Sequence, residues 1–314
     1  MYSRRQFLGS FVAAGATSIL PAVAWAGTTQ IVATTGMIAD AARQISGLPV
    51  TALMGPGMDP HGHRATRSDI LALARAELVL WHGLNLEAQL SGLMADLAAR
   101  KPVVALAEAL PRDRLLAWPQ YPDRPDPHVW FAPDLWAEVT RGVEAAVAPL
   151  TAEAPSRAEA FRAEIAAMGA YAAEVLASVP QEARVLVTAH DAFAYFGRAF
   201  GFQVEGIQGI STESEAGLQR IGELVDLIVA RRLPAVFVES SVSDRSIRAL
   251  IEGAAARGHR VAIGGELFSD AMGPDGSYEG TWLGMVDHNV TAISRALGGQ
   301  APERGRSGKL GLAG

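Results

Sequence analysis

A chain of 314 residues, 49% hydrophobic, is long enough for two domains and too apolar for disorder to be its main state. Its formal charge of -6 argues against a nucleic-acid binder, which would present a basic face. Cysteine is absent, which excludes disulfides, iron–sulfur clusters, thiolate zinc sites and a lipid-anchored cysteine, so any metal must be held by His, Asp or Glu.

Residues 1–26 read as an export signal. Arg4 and Arg5 precede an apolar run from Phe7 to Val23, and Ala24-Trp25-Ala26 puts small residues at both recognition positions of a signal peptidase, with cleavage expected after Ala26. Ser3-Arg4-Arg5-Gln6-Phe7-Leu8 fits the twin-arginine pattern. The run is short and broken by Gly9, Gly15 and Pro21, which favours a cleaved signal over a membrane anchor. No later stretch reaches the ~18 uninterrupted apolar residues of a membrane span. The mature protein is therefore expected to be soluble and periplasmic.

In residues 27–150, strands are predicted at Ile31–Thr34, Val50–Met54, Leu78–Trp81 and Val103–Leu106. Helices alternate with them at Met37–Ile45, after a Ser68 cap with Asp69 in the first turn, and at Leu86–Ala99. Residues 151–180 form one linking helix, from Pro155 to Ser178, with Phe161, Ile165, Met168, Ala172, Val175 and Leu176 on one face. At ~1.5 Å per residue this is a rod of roughly 36 Å. In residues 181–298 the alternation returns. Strands are predicted at Val185–Thr188, Gln203–Ile207, Ala235–Val238 and Val261–Ile263, and helices at Ala192–Phe200, Glu215–Arg231, Ser246–Ala256 and Trp282–Leu297. The expected fold is α/β, with two lobes, each a four-stranded parallel sheet with flanking helices, joined by one long rigid helix. Residues 299–314, rich in Gly, Arg and Pro, are expected to be a disordered tail.

Two loops repeat one tripeptide, Asp59-Pro60-His61 and Asp126-Pro127-His128, in Gly- or Pro-rich surroundings. Proline fixes its own φ and restricts the residue before it, so each imidazole is presented with little entropy left to lose. His190 lies where a strand ends, and Asp270 follows the last strand; ligands of open α/β sheets bind beyond such carboxyl ends. His61, His128, His190 and Asp270, two from each lobe, make a four-group cage for a borderline metal ion. His63 points away from His61 in an extended loop, and His82 ends a strand that could face the cleft. His259 and His288 fit surface or packing roles. Glu239, Asp59 and Asp126 could orient the ligands or merely cap their loops, and Glu205 has no assigned role.

With those residues in place, the chain resembles the periplasmic metal-binding receptors of ABC importers for zinc and manganese, the TroA-like cluster A-I (cluster 9) solute-binding family. The likeness is carried by Asp126-Pro-His-Val-Trp-Phe131, Val187-Thr-Ala-His-Asp-Ala-Phe-Ala-Tyr-Phe196 and Ile263-Gly-Gly-Glu-Leu-Phe-Ser-Asp-Ala-Met-Gly273. Gly57-Met-Asp-Pro-His61 and Val238-Glu-Ser-Ser241 add to it, and it runs from about Ile31 to Leu297. The resemblance implies one buried Zn2+ or Mn2+ as transported ligand, held by His61, His128, His190 and Asp270. It also implies a monomer that delivers the ion to an ABC importer permease in the inner membrane. Manganese-preferring relatives often carry Glu where His190 stands, and many zinc-specific ones carry a His-rich loop where Leu110–Pro127 is short and lacks His. Zinc and manganese therefore both stay open as the physiological metal. The rival readings are a periplasmic metal buffer or adhesin without a transporter, and a metal-dependent hydrolase. An enzyme is not expected: four protein ligands leave little room for a reactive water, and no HExxH, GxSxG or Walker motif occurs.

Overall fold

The computed structural model describes residues 30–118, 121–213 and 217–311. Residues 1–26, and with them the export signal and its cleavage site, lie outside the described residues. The first half builds a parallel sheet from β1 (Ile31–Ala33), β2 (Val50–Ala52), β3 (Leu78–Trp81) and β4 (Val103–Ala105), in the order β2-β1-β3-β4. Helices α1 (Gly36–Ser46), α2 (Arg67–Arg75) and α3 (Ser91–Ala98) alternate with these strands. The start of α2 differs from expectation. Its cap is Thr66, not Ser68: Thr66 Oγ1 accepts from the Asp69 N–H, and the Asp69 carboxylate accepts from the Thr66 N–H, a reciprocal box that Ser68 cannot form.

A hairpin and a helix depart from the expected elements. A short antiparallel hairpin, β5 (Ala117–Trp118) and β6 (Tyr121–Pro125), leads into the second Asp-Pro-His loop. Helix α4 (Pro133–Val147) follows, with Pro133 in its first turn and Leu135, Trp136, Val139, Val143 and Val147 buried along one face. That helical spacing was present in the sequence.

Helix α5 (Ala154–Ala177) buries Phe161, Ile165, Met168, Ala172, Val175 and Leu176 and packs against α1, α4 and, in the second half, α9 (Trp282–Ala296). The other second-half elements are β7 (Val185–His190), α6 (Ala194–Phe200), β8 (Gln203–Gln208), α7 (Leu218–Arg231), β9 (Ala235–Glu239), α8 (Arg245–Ala256) and β10 (Ala262–Leu267). Strands β7 and β8 pair in parallel, as do β9 and β10, and β7 lies beside β9, giving the order β8-β7-β9-β10. No paired register joins β7 to β9 among the described residues, so this second sheet is looser at its centre than the first. The β9–β10 register shifts between Ile263 and Glu266, across Gly264-Gly265. A Cβ at Gly264 would meet the Phe237 ring at 2.7 Å, and Gly265 has φ 148°. Only glycine permits both, and the bulge sets the direction in which the chain leaves β10.

One apolar core runs through both halves. Phe131 stacks on Phe193 with centroids 4.4 Å apart, and Trp136 stacks on Trp282 at 6.2 Å. Smaller clusters fill the outer faces, around Leu73, Val79 and Met94 in the first half and around Val225, Ile228 and Leu250 in the second.

The expected disordered tail is not what residues 299–311 form. The Arg306 N–H donates to both Asp287 carboxylate oxygens at 2.9 and 3.0 Å, the Gly311 N–H to Glu279 at 2.8 Å and the Gln300 N–H to Ser178 Oγ at 2.7 Å; Leu310 is buried. Composition signalled a coil correctly, but the acceptors that hold it lie on distant elements. Among the described residues no helix is long and apolar enough to cross a membrane.

Because Ile165 is fully buried where α5 meets the shared core, Ile165→Ala should cost ~2–5 kcal/mol. Glu159→Ala, on the exposed face of the same helix, should stay within about 0.5 kcal/mol. Denaturant melts of the two variants check the contrast.

Candidate metal centre

Each of the four predicted groups is aimed by a different local device. In the loop after β2, the Asp59 Oδ1 accepts the His61 backbone N–H at 2.8 Å, an Asx turn that Pro60 stiffens. The second loop repeats this turn and extends it. Asp126 Oδ1 accepts both the His128 backbone N–H at 2.9 Å and the ring Nδ1–H at 2.7 Å, which leaves Nε2 to face inward. His190 is the last residue of β7, and Glu239 is the last of neighbouring β9. The Glu239 carboxylate accepts the His190 backbone N–H at 2.9 Å and its Nδ1–H at 2.5 Å. Asp270 follows the β10 bulge on a segment clamped by Asn289, which exchanges two hydrogen bonds with the Phe268 backbone, and by Trp130, whose indole donates to Ser269 O at 3.0 Å.

These devices converge. One donor atom from each of His61, His128, His190 and Asp270 lies within 4.8 Å of all the others, and all four residues are at most 2% exposed. His61 Nε2 and His128 Nε2 are 3.3 Å apart. Asp270 Oδ1 is 3.3 Å from His128 Nε2, and Asp270 Oδ2 is 3.1 Å from His190 Nε2 and 3.7 Å from His61 Nε2. Two donors bound tetrahedrally at ~2.0–2.1 Å from zinc lie about 3.3–3.4 Å from each other, so the spacing fits one ion. Among the described residues, His190 Nε2 and both Asp270 oxygens are buried without a hydrogen-bond partner, an arrangement that costs free energy unless a cation or proton compensates it.

The protonation of the site follows from its carboxylates. Burial pushes His61 down to about 3, helped by the neighbouring imidazoles and opposed by Asp270, so it is neutral. Burial pushes His128 the same way, but Asp126 and Asp270 outweigh it and raise this ring to about 9. His190 is likewise raised well above the usual range, because Glu239 and Asp270 overcome burial. Burial alone would raise Asp270; His190 and His128 instead hold it well below the ordinary carboxylate range. Without metal, two protons on facing imidazoles thus offset part of the charge of the three buried carboxylates, Asp126, Glu239 and Asp270.

The remaining candidates fall outside the cage. His63 Nε2 pairs with Asp69 at 3.2 Å. His259 bonds Leu233 O, and His288 bonds Glu266 O and packs on Phe268. Glu205 pairs with Arg220 at 2.6 Å. His82 is no ligand: its Nε2 donates to Pro127 O at 2.7 Å, bracing the loop of His128. Two supporting residues escaped the sequence reading. The buried Glu87 accepts from Thr34 Oγ1 and from the His82 and Gly83 N–H groups, and the Tyr195 hydroxyl donates to Asp126 O while accepting from Leu116 N–H. Glu87 had no spacing signal. Tyr195 lies in the quoted stretch around His190, but its reach to the other half depends on tertiary packing.

Comparison with known proteins agrees with this architecture. Residues 31–296 match the family described as zinc-uptake complex component A, periplasmic. The manganese-binding lipoprotein MntA of Bacillus subtilis (strain 168) is 45% identical over 277 residues, covering 85% of this chain and 89% of that protein. The zinc-binding protein TroA of Treponema pallidum (strain Nichols) is 44% identical over 277 residues, 86% of this chain and 89% of that protein. The solved structure of the periplasmic zinc-binding protein TroA superposes with a TM-score of 0.84, covering 86% of this chain and 99% of that one. The chain belongs to the family of periplasmic zinc-uptake components.

Proposed function

We propose that this protein captures one divalent transition-metal ion outside the cytoplasm and delivers it to an ABC importer. His61, His128, His190 and Asp270 are the ligands. The observation that carries this reading is the convergence of three imidazole nitrogens and one carboxylate, buried and short of hydrogen-bond partners, at the spacing of a single coordination sphere. A cage so enclosed admits an ion and no larger substrate, which favours a receptor over a hydrolase. Residues 1–26 supply the twin-arginine export signal, cleaved after Ala26, and the mature receptor works as a periplasmic monomer docking on an inner-membrane permease.

The ligand chemistry ranks the metals. Three neutral imidazoles suit zinc, which also stands above manganese in intrinsic affinity. Both oxygens of Asp270 face the imidazoles, so bidentate ligation raises the coordination number and makes manganese acceptable. Metal analysis of the purified protein should find one ion per chain, and His61→Ala, His128→Ala, His190→Ala and Asp270→Ala should each lose it. In competition titrations zinc should bind more tightly than manganese; equal or tighter manganese binding contradicts this ranking.

Ligation needs imidazoles free of the Nε2 proton. His128 and His190, whose pKa values are raised, each carry that extra proton at neutral pH in the metal-free site. Apparent affinity should therefore fall as pH drops below about 9, by up to a hundredfold per pH unit where both protons must leave. His61 adds nothing to this slope, being neutral down to about 3. The window sits higher than the ~6.5 expected of ordinary histidines. Calorimetry at pH 7 in buffers of different ionisation enthalpy should show about two protons released per ion.

Glu239 holds the His190 ring by a short charge-assisted bond. Glu239→Gln should weaken zinc binding by about ten- to a hundredfold while leaving one site per chain, as read by competition with a chelating dye.

A further inference from the structure

The shared core leaves a question about how metal enters and leaves. Separating the halves would part Phe131 from Phe193 and Trp136 from Trp282, and α5 packs on helices of both halves. Close-packed contacts of this kind do not open by continuous deformation. The mouth of the cage is built differently. The loop after β8 crosses to the first half at residues 211–213, between two hollows of about 490 Å³ each. One hollow is lined by His61, Ser211 and Glu213, and the other by Asp59, Gln208 and Thr212. Residues 211–213 therefore border open space on two sides, unlike the aromatic contacts of the shared core.

Hydrogen bonds tie this segment across the mouth. Thr212 Oγ1 donates to Asp59 Oδ2 at 2.5 Å, and Gln89 Nε2 donates to Glu213 at 2.9 Å. The second bond is exposed, where water competes. The first is partly buried and charge-assisted, and it acts on the carboxylate that also holds the His61 backbone N–H through its other oxygen. Asp59 is thus a two-ended clip, with the ligand loop on one oxygen and the opposite half on the other. His61 itself lines the hollow that Ser211 and Glu213 border, whereas Asp270 lines a much smaller one on the far side, beside Met54 and Met272.

We propose that the Thr212–Asp59 hydrogen bond latches the metal cage, and that the ion passes through the hollow beside His61 when this bond breaks, the shared core staying closed. The proposal rests on the receptor reading above. Thr212 is a positioning residue: it touches no ligand atom and acts through Asp59 on His61.

The test is zinc release from the loaded full-length mature protein, followed by stopped flow after mixing with excess chelator. Thr212→Val keeps the side-chain shape and removes the hydroxyl; Thr212→Ser keeps the hydroxyl. Thr212→Val should release zinc at least about tenfold faster, the effect of losing one hydrogen bond to a charged acceptor, while still binding one ion per chain. Its metal-free melting temperature should stay within about 2 °C of the parent, which separates a latch from a merely structural contact. Thr212→Ser should release within about twofold of the parent rate. Parent-like release from Thr212→Val, or equally fast release from Thr212→Ser, overturns the latch and leaves the receptor reading standing. A parent protein that takes up no zinc overturns both.

Discussion

The centre depends on one electrostatic constraint: Asp126, Glu239 and Asp270 are buried carboxylates and must be matched by positive charge. Asp126 and Glu239 find theirs on the outer nitrogens of His128 and His190. Asp270 faces the inner nitrogens, and among the described residues no backbone or hydroxyl donor satisfies it. Much of the surrounding structure serves to keep this carboxylate in place and dry. The Gly264-Gly265 bulge turns the chain out of β10, and Asn289 and Trp130 clamp the segment that follows.

The two halves supply their ligands through different physics. In the first half, His61 and His128 stand on loops whose shape is local: an aspartate, a proline and an imidazole, closed by a turn within three residues. In the second half the aim comes from a neighbouring strand, since His190 is oriented by a residue 49 positions away on β9. The first device is legible in a sequence because all its parts are adjacent. The second requires knowing that β7 and β9 are neighbours.

That difference explains how much could be read in advance. The four cage residues and the alternating α/β pattern rest on local signals, namely a repeated tripeptide, apolar runs and strand ends. Helix α4 carries such a signal too, in its Leu135–Val147 periodicity. Glu87 and Tyr195 carried none, because their partners lie across the fold. The tail departs from its composition for the same reason. Its glycines and arginines describe a coil, and nothing nearby announces that Asp287 and Glu279 will receive its backbone N–H groups. The α2 cap turned on a finer point: Ser68 and Thr66 are both good caps, and the choice falls to the one standing three residues before Asp69.

The protons on His128 and His190 carry a consequence for whatever meets this protein. A divalent ion that replaces two protons leaves the centre with the charge it had before. Filled and empty molecules then project nearly the same field, and salt extinguishes what remains within about 10 Å of the surface. A partner drawn by long-range attraction would collide with both forms equally often. Discrimination between them must wait for contact, where the positions of a few loops at the rim, and not the charge beneath them, tell one from the other.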